Sequence, residues 1–240
     1  KDGEASTLLF ASKREKTEEE LLTADKIPKE WLAAGYTLFY GKKRHVFQVF
    51  DSITVDPTRG FVEMRIDYGK GLSERDIVNY RNALSTRFNK LVKESLGIEQ
   101  LLGQAVNLAP ALEPLYKGKS WTVYHINHQN DGGFANSNKG RYRCDDVRGD
   151  TYHKNGEEAV GTIQLWQVNA AFKSSHRAMC PLLILEGNSS MLSSLVPFMD
   201  IARIIDCATA SEYRTVFDAL VKCLLVEVDT ETEELHEAEA

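Results

Sequence analysis

Hydrophobic positions change period several times along the chain, and the changes mark out its elements. Tyr36–Tyr40, His45–Val55 and Phe61–Tyr68 are rich in aromatic and β-branched residues, which suits strands. Gly41-Lys42-Lys43-Arg44 and Asp56-Pro57-Thr58-Arg59-Gly60 separate them with turn chemistry. The expectation is an antiparallel three-stranded meander. Val62, Met64, Ile66 and Tyr68 alternate onto the core face of its third strand, leaving Glu63, Arg65 and Asp67 on a wet one.

From Ser73 the period lengthens to that of a helix. Ile77, Tyr80, Leu84, Phe88 and Leu91 recur every three or four residues, Ser73 and Asp76 stand at capping-box spacing, and Gly97 is a stop. A second helix is expected over residues 98–108, before Pro110. Trp121–Asn127, Val160–Val168 and Cys180–Leu185 read as strands, the last as a continuous apolar run of the central kind. Residues 189–206 read as partly helical, with Pro197 starting or kinking the helix. Thr209 and Glu212 form a capping box ahead of a stripe through Tyr213, Val216, Phe217, Leu220 and Leu224.

Strand and helix blocks are segregated, which argues for an α+β fold rather than regular βαβ alternation. The simplest packing is a two-layer sandwich: a mixed or antiparallel sheet, the N-terminal meander plus later strands, against about four helices. A single domain over residues 25–226 is expected. A charged arm, residues 1–24, precedes it, with a short helix from Thr17 as an alternative there, and an acidic tail, residues 227–240, follows and frays into solvent.

Charge enters through that tail. The whole chain of 240 residues has a formal net charge of −6. Seven of its 35 acids lie in residues 227–240, which hold no Lys or Arg; 28 acids then face 29 bases in the rest. A near-neutral body gives little long-range pull on nucleic acid or anionic lipid. No apolar run is long enough for a transmembrane helix, and the first 30 residues lack the apolar stretch of a secretory signal. Cys144, Cys180, Cys207 and Cys223 are widely spaced without a C-x-x-C pair, which suits thiols in a reducing, cytoplasmic setting.

Candidate chemistry concentrates in residues 129–159, a long polar insertion expected to lack secondary structure. Within and beside it, His125, His128, Asp131, Asp145, Asp146, Asp150 and His153 offer oxygen and nitrogen donors of the kind that hold a divalent metal ion. A metal-dependent hydrolase, a phosphodiesterase or nuclease, would use them to generate hydroxide. Against it, His125 and His128 are three apart and point to opposite faces of an ideal strand. The same insertion carries Arg141, Tyr142, Arg143, Arg148 and Tyr152, a combination that suits a protein interface and can also grip nucleic acid. The preferred reading is a non-catalytic binding or assembly module that meets a protein partner through this loop and needs no cofactor. No residue is assigned a catalytic role.

Other polar clusters read as structural. Glu63, Arg65 and Asp67 fit a solvated ladder, Lys42-Lys43-Arg44 a hairpin tip, and Glu186-Gly187-Asn188-Ser189-Ser190 a helix cap. Cys144 has acids as neighbours, which disfavours its thiolate.

Overall fold

The computed structural model describes residues 5–67, 73–160, 162–174 and 180–237, with Glu74, Val160 and residues 226–237 described as backbone. The fold class is α+β, with antiparallel sheets of three and five strands and five α-helices among the described residues. The span expected as one domain divides into two compact units, Lys1–Gln104 and Ala105–Ala240. The division follows from burial: each unit has its own sheet and its own buried apolar cluster.

In the first unit the sheet runs β1 (Ser6–Leu21), β2 (Tyr40–Asp56), β3 (Phe61–Arg65). The three-stranded sheet is present, but its first strand is not Tyr36–Tyr40. Residues 1–24, expected as an arm, hold the 16-residue β1, which pairs with β2 from Ser6↔Val55 to Leu21↔Tyr40. Charge complementarity supports that pairing: Arg44 pairs with Glu15, and Lys42 lies 4.0 Å from Glu19. The basic run Lys42-Lys43-Arg44 therefore lies within β2, near its start, and is not a hairpin tip. Phe10 and Arg14 are the buried residues of β1, and Arg14 donates to both carboxylate oxygens of Asp51 (2.8 and 2.6 Å). The β1–β2 connection contains the short helix α1 (Lys29–Ala33), after Pro28 and before the left-handed Gly35.

α2 (Glu74–Leu96) begins with a complete capping box. The Ser73 hydroxyl accepts from the Asp76 N–H (3.2 Å), and the Asp76 carboxylate accepts from the Ser73 N–H (2.9 Å). Its buried stripe is Ile77, Leu84, Phe88 and Val92, while Leu91 turns out to solvent. Leu84, Phe88 and Val92 pack with Phe10 and Ile53, joined by the half-buried Val62, Met64 and Ile66. Burying a side chain as completely as Phe88 contributes about 1.5–3 kcal/mol. The opposite face of β3 is not wholly wet, since the Glu63 side chain is buried and accepts two hydrogen bonds from Arg65 (2.8 and 2.7 Å). Tyr68 and Gly69–Gly71 lie outside the described residues.

No helix forms over residues 98–108. Gly97 turns left-handed (φ 70°), and the Asn89 carboxamide oxygen accepts from the Leu101 and Leu102 N–H groups (3.1 and 3.0 Å), satisfying them without a helical turn.

The second unit is a five-stranded antiparallel sheet in the order β5-β4-β6-β7-β8. Its strands are β4 (Thr122–Asn130), β5 (Ala135–Lys139), β6 (Ile163–Ala171), β7 (Leu182–Glu186) and β8 (Ala202–Ile205). β7 is paired on both sides, as its apolar run predicts. β8 occupies ground expected as helix; after the 3₁₀ turn Ser189–Ser193, extended pairing to β7 satisfies its backbone instead. Asn188, not a serine, caps that turn: its side-chain oxygen accepts from the Met191 N–H (3.1 Å).

α3 (Leu112–Lys117) and α5 (Ala210–Glu237) bury Leu112, Leu115, Val216, Leu220 and Cys223 against Val123, Ile126, Val168, Leu183 and Leu185 of the sheet. The Thr209 hydroxyl caps α5 by accepting from the Glu212 N–H (3.1 Å). The backbone of α5 runs on to Glu237, through much of the stretch expected to fray.

Candidate functional site

The polar insertion is largely ordered, and local chemistry explains why. Asn130-Asp131-Gly132-Gly133 closes a hairpin between β4 and β5, with Gly133 at φ 80° and the Asn130 side chain accepting from the Phe134 N–H (3.0 Å). A 3₁₀ turn, Val147–Gly149, is capped by Asp146 and buries Val147 in the core. α4 (Thr151–Val160) follows; the Asp150 carboxylate accepts from the His153 N–H (3.0 Å) at its start.

Arg148 fastens this segment to the rest of its unit. Its guanidinium donates to the carbonyls of Tyr116 (2.7 Å), Gly118 (2.5 Å) and Trp121 (3.0 Å) and pairs in bidentate fashion with Asp146 (2.8 and 2.6 Å). Burial pushes the Asp146 carboxyl up, but the hydrogen bonds and charge of Arg148 outweigh it and hold the group below its ordinary value. Arg143 donates to the Cys180 carbonyl (2.8 Å) and pairs with Asp206 (2.7 Å). Of the residues expected at an interface, Arg143 and Arg148 are thus engaged inside the unit. Arg141, Tyr142 and Tyr152 are exposed, with Arg141 over the Tyr142 ring (5.3 Å).

The candidate metal ligands are dispersed. Asp131 sits at the exposed hairpin turn. Asp145 accepts from the Tyr142 N–H (2.8 Å), Asp146 holds Arg148, and Asp150 caps α4. His125 and His128 point to opposite faces of β4. The His125 ring meets Ser137 (3.2 Å) and Asn169 (3.2 Å) on the face away from Ile126, and burial, then Lys139, lower its pKa. Among the described residues no three His, Cys, Asp or Glu side chains are arranged to hold a metal ion.

What the fold does bring together is His128 and His153, with ring centroids 5.9 Å apart. They line a cleft of about 190 Å³ between the β4–β5 hairpin and α4, together with Asn136, Asn138, Tyr152 and Glu157. His153 and Glu157 are four apart on α4 and so share a face. Asn136 and Asn138 alternate on β5 and so share one too.

Behind the histidines, the Tyr116 hydroxyl lies 2.9 Å from His153 Nε2 and donates to Glu157 Oε2 (3.1 Å). Burial, then the Glu157 carboxylate, push the Tyr116 phenol far above its ordinary value, so it stays protonated. With its O–H directed at Glu157, its oxygen accepts from His153 Nε2–H, which orients that ring. His128 is 7% exposed, and its Nδ1 is buried without a hydrogen-bond partner among the described residues. Burial, then His153, lower its pKa.

Sequence reasoning identified His128, His153 and Tyr152 but missed Asn136, Asn138, Glu157 and Tyr116. The N-x-N alternation and the His–Glu spacing of four were legible signals for the first three. Tyr116 had none, because its role depends on a contact 37 residues away. Compared with protein-family models, curated proteins and solved structures, the chain matches none.

Proposed function

We propose that this chain is a non-catalytic binding or assembly module, with residues 129–159 as its contact surface for a protein partner. The observation that carries this reading is outward aromatic display on ordered backbone. Phe134, Tyr142 and Tyr152 are 71%, 59% and 83% exposed, within a segment that Arg148, Arg143 and Val147 pin in place. Rigid aromatic side chains offer large contact area at small entropic cost, which suits protein recognition. A nucleic-acid partner is less favoured, because two of the segment's basic side chains, Arg143 and Arg148, are occupied by internal hydrogen bonds and ion pairs. The four free thiols, Cys144 exposed among them, suit a reducing compartment such as the cytoplasm.

The test replaces Phe134 and Tyr142 together by Ala. Neither is buried, so melting should match the wild type. A partner captured by the wild-type chain should be lost by the variant. Equal capture by both overturns the reading.

A further inference from the structure

We propose that the cleft beside His128 and His153 receives a guanidinium group, an arginine side chain presented by the protein partner. This rests on the binding reading above and names what the surface recognises. Size sets the first bound. At about 190 Å³ the cleft is smaller than the roughly 300–1,000 Å³ of pockets that enclose whole small molecules, so it admits a head group.

Charge sets the second. Glu157 contributes a carboxylate, and among the described residues no Lys or Arg lines the cleft; Lys154 lies on α4 but is not one of the lining residues. Asn136 and Asn138 add carbonyl acceptors, and the open face of Tyr152 can sit against a cation. Because the depressed pKa of His128 keeps its ring uncharged, it does not repel one.

Geometry separates guanidinium from ammonium. Asn136 and Asn138 stand about 7 Å apart along the strand backbone, so their carboxamides form a side-by-side pair of acceptors that suits a planar fork of donors better than a point charge. The Tyr116 hydrogen bond engages His153 Nε2 and so orients that ring in the cleft wall. His128, a lining residue that is 7% exposed, carries a buried Nδ1 with no hydrogen-bond partner among the described residues, and since buried polar atoms are nearly always paired, this wall of the cleft is where a further polar group is wanted.

The experiment titrates the full chain with Nα-acetyl-arginine-methylamide at constant ionic strength, following the imidazole NMR signals of His128 and His153. Nα-acetyl-citrulline-methylamide and Nα-acetyl-lysine-methylamide are run alongside. Both rings should shift with the arginine compound, with affinity at least about tenfold above that for citrulline, which has the shape without the charge. Glu157→Gln, which still accepts from Tyr116, should lower arginine affinity severalfold, and Tyr152→Ala, at an exposed position, should lower it too. No shift of either ring, or citrulline binding as well as arginine, overturns the proposal. Lysine binding as tightly as arginine overturns its guanidinium part. Each of these leaves the contact-surface reading intact, because that fails separately, through unchanged partner capture by the Phe134/Tyr142 variant.

Discussion

Two segments of this protein are polar enough to read as unstructured, Ser6–Leu21 and residues 129–159, and both are ordered for different reasons. β1 is held by a neighbour. It pairs with β2 along 16 residues, carries few buried side chains, and matches its acids to the bases of the opposite strand. The 129–159 segment is held by its own short polar side chains. Asn130, Asp146 and Asp150 cap successive turns, and Arg148 ties the result to three carbonyls of its own unit. Polarity alone therefore does not mark a loop. A strand can be polar if its partner supplies complementary charge, and a compact excursion can be polar if each backbone group finds a side chain.

The largest expected effect breaks the β1 arrangement at its buried point. Asp51→Ala leaves the Arg14 guanidinium, which is 4% exposed, without its carboxylate. An uncompensated buried charge costs about 3–5 kcal/mol, measurable as a lower urea midpoint. A variant within about 0.5 kcal/mol of wild type would show that the pair does not hold the strand.

A somewhat smaller loss tests the other segment. Arg148→Ala leaves the carbonyls of Tyr116, Gly118 and Trp121 without this donor, at a cost of about 3 kcal/mol, and Arg148→Lys should recover little because an ammonium cannot copy the fork. Hydrogen exchange should show new opening in α4 and the β4–β5 hairpin; opening elsewhere only would break the comparison.

The smallest effect sharpens it by pH. His125 and His128 both have folded pKa values below the ordinary 6.5. The unfolded chain therefore takes up protons first, and the stability these residues contribute, complete above pH 6.5, is lost as pH falls below it. Over pH 6.5–5 the lowered carboxyls of Glu18 and Glu20 on β1 stay ionised. Acid loosening in that window should appear around β4 rather than β1, and His128→Gln should flatten the stability profile there. An unchanged slope in that variant would remove His128 from the account.

Legibility followed the range of the interactions. The α2 capping box, its Gly97 stop, the Thr209 cap and the apolar run of β7 were readable because each rests on residues within a few positions or on one unbroken hydrophobic stretch. The Asn130–Gly133 hairpin was equally local, and its turn signal was present though overshadowed by the polarity around it. Residues 98–108 and 189–206 misled because their apolar content fits more than one backbone. Asn89 and pairing with β7 settled these cases from outside the segment.

By itself, then, the sequence determined the α+β class, the capped starts of α2 and α5, the approximate placement of β4, β6 and β7, and the opposite orientation of His125 and His128. All of these follow from periodicity and the rigid geometry of the backbone. Tertiary structure decided the rest: that β2 pairs with a charged N-terminal strand, that each unit buries its own core, and that His128, His153 and Glu157 meet at one cleft with Tyr116 behind them. The reason is physical. Strand partners and side-chain networks are chosen by the free energy of contacts between residues far apart in the chain, and no local pattern encodes which of many compatible partners will close.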